Sequence, residues 1–266
     1  MALNAVEVGI CAALIDRLKP GLGRRPRLLF LGNPDLLCTL DALRQVGVEF
    51  DTPVKTRGDG PAIWDQHGRH QLRDLPMLDA RSAFTELGAD VTISDAIAWG
   101  GEDLVLDLNR PIGFFRRLQL AAFDLVVDPG TIEHCFNIAQ AFDNIDRLLA
   151  PFGIVYHQTA AAFPNHGFWS VSPTAFFDFY ESRQFELGTA YYWNGSIDAD
   201  GLVPRLQCAD PFAPKVGSPT PQIACYTFRK RGKHRRPPGF PVQRCYSSLS
   251  REIATTNFVP QRLLLG

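Results

Sequence analysis

The chain has 266 residues, 45% of them hydrophobic and 21% charged, with a formal net charge of -1. That length suits one α/β domain with a large core, and the near-neutral balance argues against nucleic-acid binding by bulk electrostatics. Six cysteines, at 11, 38, 135, 208, 225 and 245, show no C-x-x-C pair and no metal-finger spacing, the pattern of reduced thiols in a cytoplasmic protein.

The first expected element is a short amphipathic helix built on the apolar run from Val8 to Ile15 and ending near Lys19-Pro20-Gly21. This run is too short to span a bilayer. It is flanked by Glu7 and Asp16 and has no basic leader, so it does not read as a signal peptide. The first strand is expected at Arg27 to Leu31, closing on Gly32-Asn33-Pro34-Asp35. Glycine after a first strand lets backbone approach a ligand with no Cβ in the way. The dinucleotide G-x-G-x-x-G is absent, and Asp35 could equally cap a helix running through Arg44. Residues 52 to 76 are rich in Gly, Pro, Asp, His and Arg, an insertion or lid, before a helix resumes near Asp79 to Leu87.

Val91-Thr92-Ile93-Ser94, closed by Asp95, is the second strand candidate. Leu104 to Leu108, leading into Asn109-Arg110-Pro111, is the third. The segment from Phe123 to His157 is the most informative in the chain. Leu125, Val126 and Val127 are an apolar run of the kind a strand covered on both faces requires. The run ends at Asp128-Pro129-Gly130-Thr131, with Glu133 and His134 at once after it. Phe136, Ile138, Ala141, Ile145, Leu148 and Leu149 then set a helical stripe, stopped by Pro151 and Gly153 before Ile154-Val155-Tyr156 opens a fifth strand. Ser172-Pro173 starts another helix with serine at the N-cap and proline at N1, and Phe176, Phe179 and Tyr180 share one stripe. Strands at Gly188 to Trp193 and Gln222 to Phe228 complete the expectation: a Rossmann-like, seven-stranded, mostly parallel sheet with helices on both faces. It divides into an N-terminal helical segment (1–25), a main domain (26–230, with 52–78 inserted) and a loop-rich tail (231–266).

FDLVVDPGTIEH followed by NIDRLLAPFGIVYH resembles the second half of the class I methyltransferase core, which uses S-adenosylmethionine. The family's L-x-P-G-G turn is matched by Leu149-Ala150-Pro151-Phe152-Gly153, with Phe152 in place of a glycine. Asn165-His166-Gly167-Phe168-Trp169 and Ser172 to Phe177 are similar to a subgroup acting on bacterial glycans and secondary metabolites. The resemblance covers roughly residues 26 to 195 and is strongest from about 88 to 185. The glycine loop departs from the family's G-x-G-x-G, keeping Gly32 alone.

The resemblance implies S-adenosylmethionine as cofactor. Gly32, Asn33 and Asp35 would lie at its methionine part, Asp95 at the ribose hydroxyls, and Asp107 or the Leu108 backbone at the adenine amino group, with Asp128 and Gly130 in the turn beside them. Asp107 and Asn109 could instead form a turn cap. Proton removal from an oxygen or nitrogen acceptor falls to His134 first and His166 second. Glu133 would orient an imidazole or bind substrate, unless it only favours a helix N-terminus. Asn165, Phe168 and Trp169 are candidate walls of a small-molecule or glycan acceptor pocket. No carboxylate–histidine cluster has metal spacing in the sequence.

Residues 229 to 236 pack six basic residues into eight positions, either a solvated run or a phosphate contact. Two other readings stay open: a non-catalytic scaffold or partner subunit, and an RNA-directed methyltransferase guided by that run. The tail is free to pack across the domain or to join a second copy of the chain.

Overall fold

The computed structural model describes residues 1–99, 101–113, 122–162, 166–194, 206–208, 222–232, 241 and 243. Elements follow in chain order: β1 (Ala2–Asn4), α1 (Ala5–Leu22), β2 (Arg27–Leu31), β3 (Asp35–Leu37), α2 (Leu40–Gln45), β4 (Thr56–Arg57), α3 (Gly60–Gln66), β5 (Met77–Leu78), α4 (Ala80–Glu86) and β6 (Asp90–Asp95). Then come β7 (Leu104–Val105), β8 (Phe123–Pro129), α5 (Ile138–Leu148), β9 (Leu149–Ala160), α6 (Pro173–Ser182), β10 (Phe185–Asn194), β11 (Leu206–Cys208) and β12 (Gln222–Lys230). Among the described residues, no helix is long and apolar enough to cross a membrane.

The main sheet has the order β11-β10-β12-β9-β8-β2-β6-β7. Strands β7, β6, β2, β8 and β9 run parallel. β12 is antiparallel to β9, and β10 is antiparallel to β12, which returns β10 to the common direction. The architecture is therefore the expected Rossmann-like, mostly parallel sheet. The three-residue β11 adds an eighth strand at the edge, antiparallel to β10.

Strand alternation sorts the core into two layers. Leu28 and Phe30 of β2, with Leu125 and Val127 of β8, face Val8, Cys11 and Ile15 of α1 and Phe84 of α4. Leu29, Leu31 and Val126 face the opposite layer, against Phe142 and Ile145 of α5 and Phe176 and Tyr180 of α6. All seven residues of β8 are buried, as a strand covered on both faces requires. Asp124 ties the amino edge: its buried carboxylate accepts from Arg24 at 2.6 and 3.1 Å and from the Arg27 N–H at 2.8 Å.

Several boundaries differ from the sequence reading. Helix α1 continues through Pro20 and stops where Gly23 adopts a left-handed φ of 61°. Thr39, not Asp35, caps α2. Only Leu104 and Val105 pair in the third strand, because Asn109-Arg110-Pro111 turns away. Ser172 stands at the N-cap of α6 without a side-chain capping bond. Phe152 takes a left-handed φ of 66°, a conformation that favours glycine.

The start of α1 is a capping box. The Asn4 amide donates to Glu7 Oε2 at 2.7 Å, and the Glu7 amide donates to Asn4 Oδ1 at 3.1 Å. Glu7 is fully buried, and Cys225 Sγ of β12 donates to its Oε1 at 3.3 Å. Burial pushes the Glu7 carboxyl from 4.5 up to about 7, against the opposing hydrogen bonds. Below 4.5 both folded and unfolded chains hold this proton; between 4.5 and about 7 only the folded chain does. Stability therefore falls as pH rises through that window and stays lower above it. Glu7→Gln should remove this loss, making the variant more stable than the parent by up to ~3 kcal/mol at alkaline pH relative to its standing in acid. Urea unfolding at about pH 5 and about pH 8 measures it; an equal difference at both would refute the buried-proton assignment.

Candidate active site

From β2 the chain runs outward to β6 and β7 on one side, then crosses over to β8 on the other side of β2. The carboxyl ends of β2 and β8 thus border a topological switch point, where open parallel sheets place ligands. Gly32 follows β2 with φ 86°, its N–H donating to the Ser94 carbonyl at 2.6 Å. The turn after β8 forms the other wall.

That turn is set by Asp128, whose carboxylate is fully buried. Its Oδ1 accepts the N–H of Thr131 at 2.8 Å and of Ile132 at 3.3 Å, and its Oδ2 lies 2.7 Å from His157 Nδ1. His157 Nε2 in turn meets the Tyr180 hydroxyl at 2.6 Å. The parallel register pairs Asp128 with His157 across β8 and β9. Burial raises the Asp128 carboxyl above its ordinary range, with His157 working against the rise. Both of its oxygens are engaged by the protein, and these bonds shape the turn. Thr131 bridges the walls, its hydroxyl donating to the Leu31 carbonyl and lying 2.9 Å from Met1 Sδ.

Met1 occupies the crevice. Its Sδ and Cε stand where a Cβ on Gly32 would be. The Met1 carbonyl accepts the Asp35 N–H at 3.1 Å, and β1 pairs in parallel with β3. A cleft of about 390 Å³ exists at the other edge of the sheet, lined by Arg24, Arg25, Arg27 and Arg81, away from this crevice.

Beyond the crevice the loop after β9 folds back on the turn. The N–H groups of Phe168 and Trp169 donate to the Glu133 carbonyl at 2.9 and 3.2 Å, and Trp169 Nε1 donates to the Cys135 carbonyl at 3.0 Å. Gly167, φ 72°, allows this approach: a Cβ there would lie 2.8 Å from the Glu133 oxygen and 3.2 Å from His134 Nδ1. Glu133, His134 and His166, remote in sequence, are thereby brought together, with one donor atom from each inside 4.8 Å. The two imidazole centroids are 5.2 Å apart. Partial burial lowers the His134 pKa from 6.5, and the Glu133 charge opposes that effect. Burial pushes the neighbouring Cys135 thiol up to about 12, too high for a thiolate nucleophile at neutral pH.

The remaining candidates divide. Asn33 is exposed at the crevice mouth. The Asp35 carboxylate is held by Arg57 and His67, each at 2.9 Å, which ties the 52–78 insertion to the glycine turn. Asp95 closes β6, and among the described residues its carboxylate receives a 3.4 Å contact from the Ile97 N–H. Asp107 accepts from the N–H and side chain of Asn109 and pairs with Arg110 at 3.3 Å. Burial works to raise the Asp107 carboxyl, yet these partners outweigh it and hold it below its ordinary value. The Leu108 carbonyl is taken by Asn144. Gly130, φ 86°, leaves room for Glu133 Oε1, 3.1 Å from where a Cβ would be. Asn165 lies outside the described residues. Phe168 and Trp169 are exposed.

Phe136 is not part of the α5 stripe. It precedes the helix, is 70% exposed and packs edge-on against Phe168 at 5.5 Å, so it extends the aromatic wall. In the basic run, Lys230 is buried against Asp146 at 2.9 Å and Arg231 pairs with Glu186 at 3.1 Å. Positions 233–236 lie outside the described residues.

Sequence reasoning also passed over Asn144. It is fully buried on α5, donating to the carbonyls of Leu108 (2.9 Å) and Arg110 (2.8 Å) and accepting the Ile112 N–H at 2.8 Å. A polar residue between Ala141 and Ile145 on the apolar stripe was the available signal.

No family model matches the chain, and no curated protein does. Among solved structures it is similar to TehB from Haemophilus influenzae, at 12% identity and a TM-score of 0.40 over 81% of this chain and 61% of that one. It is also similar to the methyltransferase CalH complexed with SAH, at 15% identity and 0.41 over 84% and 55%. A third likeness is to the N-methyltransferase NodS from Bradyrhizobium japonicum WM9, complexed with S-adenosyl-L-homocysteine, at 14% and 0.37 over 85% and 88%. The chain thus spans less than two thirds of TehB and of CalH.

Asn144→Ala should remove the shared partner of the buried Leu108 carbonyl, the Arg110 carbonyl and the Ile112 N–H, and cost about 2–3 kcal/mol. Denaturant unfolding measures the loss, and faster amide exchange at Ile112 locates it; unchanged protection there would disprove the clamp.

Proposed function

We propose that the chain is an S-adenosylmethionine-dependent methyltransferase acting on oxygen or nitrogen of a small-molecule or glycan-like acceptor. The observation that carries this reading is the switch-point crevice, which has Gly32 on one wall and the Glu133–His134–His166 cluster beyond the other. Asp95 at the end of β6, whose carboxylate has the Ile97 N–H as its contact among the described residues, would accept two ribose hydroxyls. The crevice already accepts the aliphatic thioether of Met1 beside Gly32 and Thr131, and the cofactor's methionine portion has the same chain. Cofactor entry therefore requires Met1 to leave, against the β1–β3 pairing and the Thr131 contact.

Methyl transfer is an in-line displacement at a sulfonium carbon. The protein's task is to hold the acceptor atom in line and to take its proton. His134 is the proposed base, with His166 beside it and Glu133 countering the positive charge that forms on the ring. Nothing in this route calls for a metal. Phe136, Phe168 and Trp169 would wall the acceptor, since aromatic faces stack on sugars and planar rings.

Calorimetry with S-adenosylmethionine should give saturable binding that weakens in Asp95→Ala. His134→Ala should keep cofactor binding while lowering kcat by ~10²–10⁴. The parent rate should rise with pH through a midpoint below 6.5, because the free imidazole is the active form and its pKa is lowered. A rate that falls over that range would refute the base.

A second reading is favoured by one observation, the occupation of the crevice by Met1. In that reading the sheet is a scaffold or partner subunit, with β1 a permanent plug. No heat at millimolar cofactor would support it over the enzyme.

A further inference from the structure

We propose that Glu133, His134 and His166 form a binding site for a first-row divalent cation of the zinc type. Glu133 is 1% exposed, and its Oε2 has no hydrogen-bond partner among the described residues. Its Oε1 stands 3.7 Å from His166 Nε2, beyond hydrogen-bond reach. A buried carboxylate oxygen without a donor is costly and rare; a cation bound there removes the cost.

The other two donors converge on it. All three donor atoms fall within 4.8 Å of one another. Tetrahedral ligands around zinc at bond lengths of ~2.1 Å are separated by about 3.4 Å, so the cluster must contract. Glu133 is fixed in the core, whereas His166 is half exposed and sits at the edge of its loop. The contraction falls on His166. Two imidazoles and one carboxylate suit zinc, cobalt, nickel or iron, while magnesium and calcium prefer oxygen throughout. Three protein ligands leave a fourth position open on the exposed side of the histidines.

The site is a property of tertiary structure. Gly167 and the hydrogen bonds donated by the Phe168 and Trp169 N–H groups to the Glu133 carbonyl bring His166 to the turn. One consequence rests on the methyl-transfer reading: a bound cation takes the imidazole lone pair that the acceptor proton would need. The occupied form is then the inactive one, and a chelator restores the rate.

The test uses metal-stripped protein titrated with cobalt(II), read by visible absorption with no cofactor or acceptor present. One equivalent per chain should bind with the intense bands of a low-coordinate ion, and zinc should displace it. His166→Ala and His134→Ala should each weaken binding at least ~100-fold. His70→Ala, an exposed histidine paired with Asp65, should not change it. No cobalt uptake by the parent chain, or equal uptake by the His134 and His166 variants, would overturn the site. Because the readout involves no cofactor, its failure leaves methyl transfer standing, and failure of cofactor binding leaves the cation site standing.

Discussion

The geometry of the candidate site depends on one buried carboxylate. Asp128, at the end of β8, is pinned between His157 on the neighbouring strand and the amides of Thr131 and Ile132. Low dielectric makes such charge-assisted bonds strong when satisfied and costly when broken. The same carboxylate therefore fixes strand register on one side and turn geometry on the other. Thr131 reaches Leu31 from that turn, and Glu133 enters the core from it. Everything beyond, including the return of the His166 loop onto the Glu133 carbonyl, is built on this turn.

The N-terminal segment is coupled to the same place by other bonds. The Asn4–Glu7 capping box sets the start of α1, β1 precedes it, and Met1 fills the space above Gly32. On the opposite flank, Asp35 holds Arg57 and His67 of the inserted segment. The glycine turn is thus bounded by two pieces of chain not belonging to the sheet. Each is also held by buried apolar side chains, Leu3 on the first and Trp64, Met77 and Leu78 on the second.

Sheet and helices were largely readable. The apolar runs at Leu28 to Leu31 and Leu125 to Val127 follow from burial on two faces, and the helix expected near Asp79 to Leu87 forms as α4. Phe152 shows the limit of such reading. Its backbone adopts the conformation a glycine would take, so the turn is imposed by the strands on either side and not by the residue in it. Phe136 likewise fits a helical period, yet lies before the helix against Phe168. Asn144 was hidden because periodicity reports polarity, not which distant carbonyls need a donor.

By itself the sequence determined the layered α/β architecture, because strand and helix periods are local properties of the chain. It also marked Gly32, Asp95, Asp107 and the 128–134 turn as the polar carboxyl edge. Only tertiary structure decided what those groups do. Pairing of Asp128 with His157, closure of His166 onto Glu133 and His134, and entry of Met1 above Gly32 against Thr131 join residues 29 to 130 positions apart. Contacts over such separations are set by strand order and register, which no local pattern encodes.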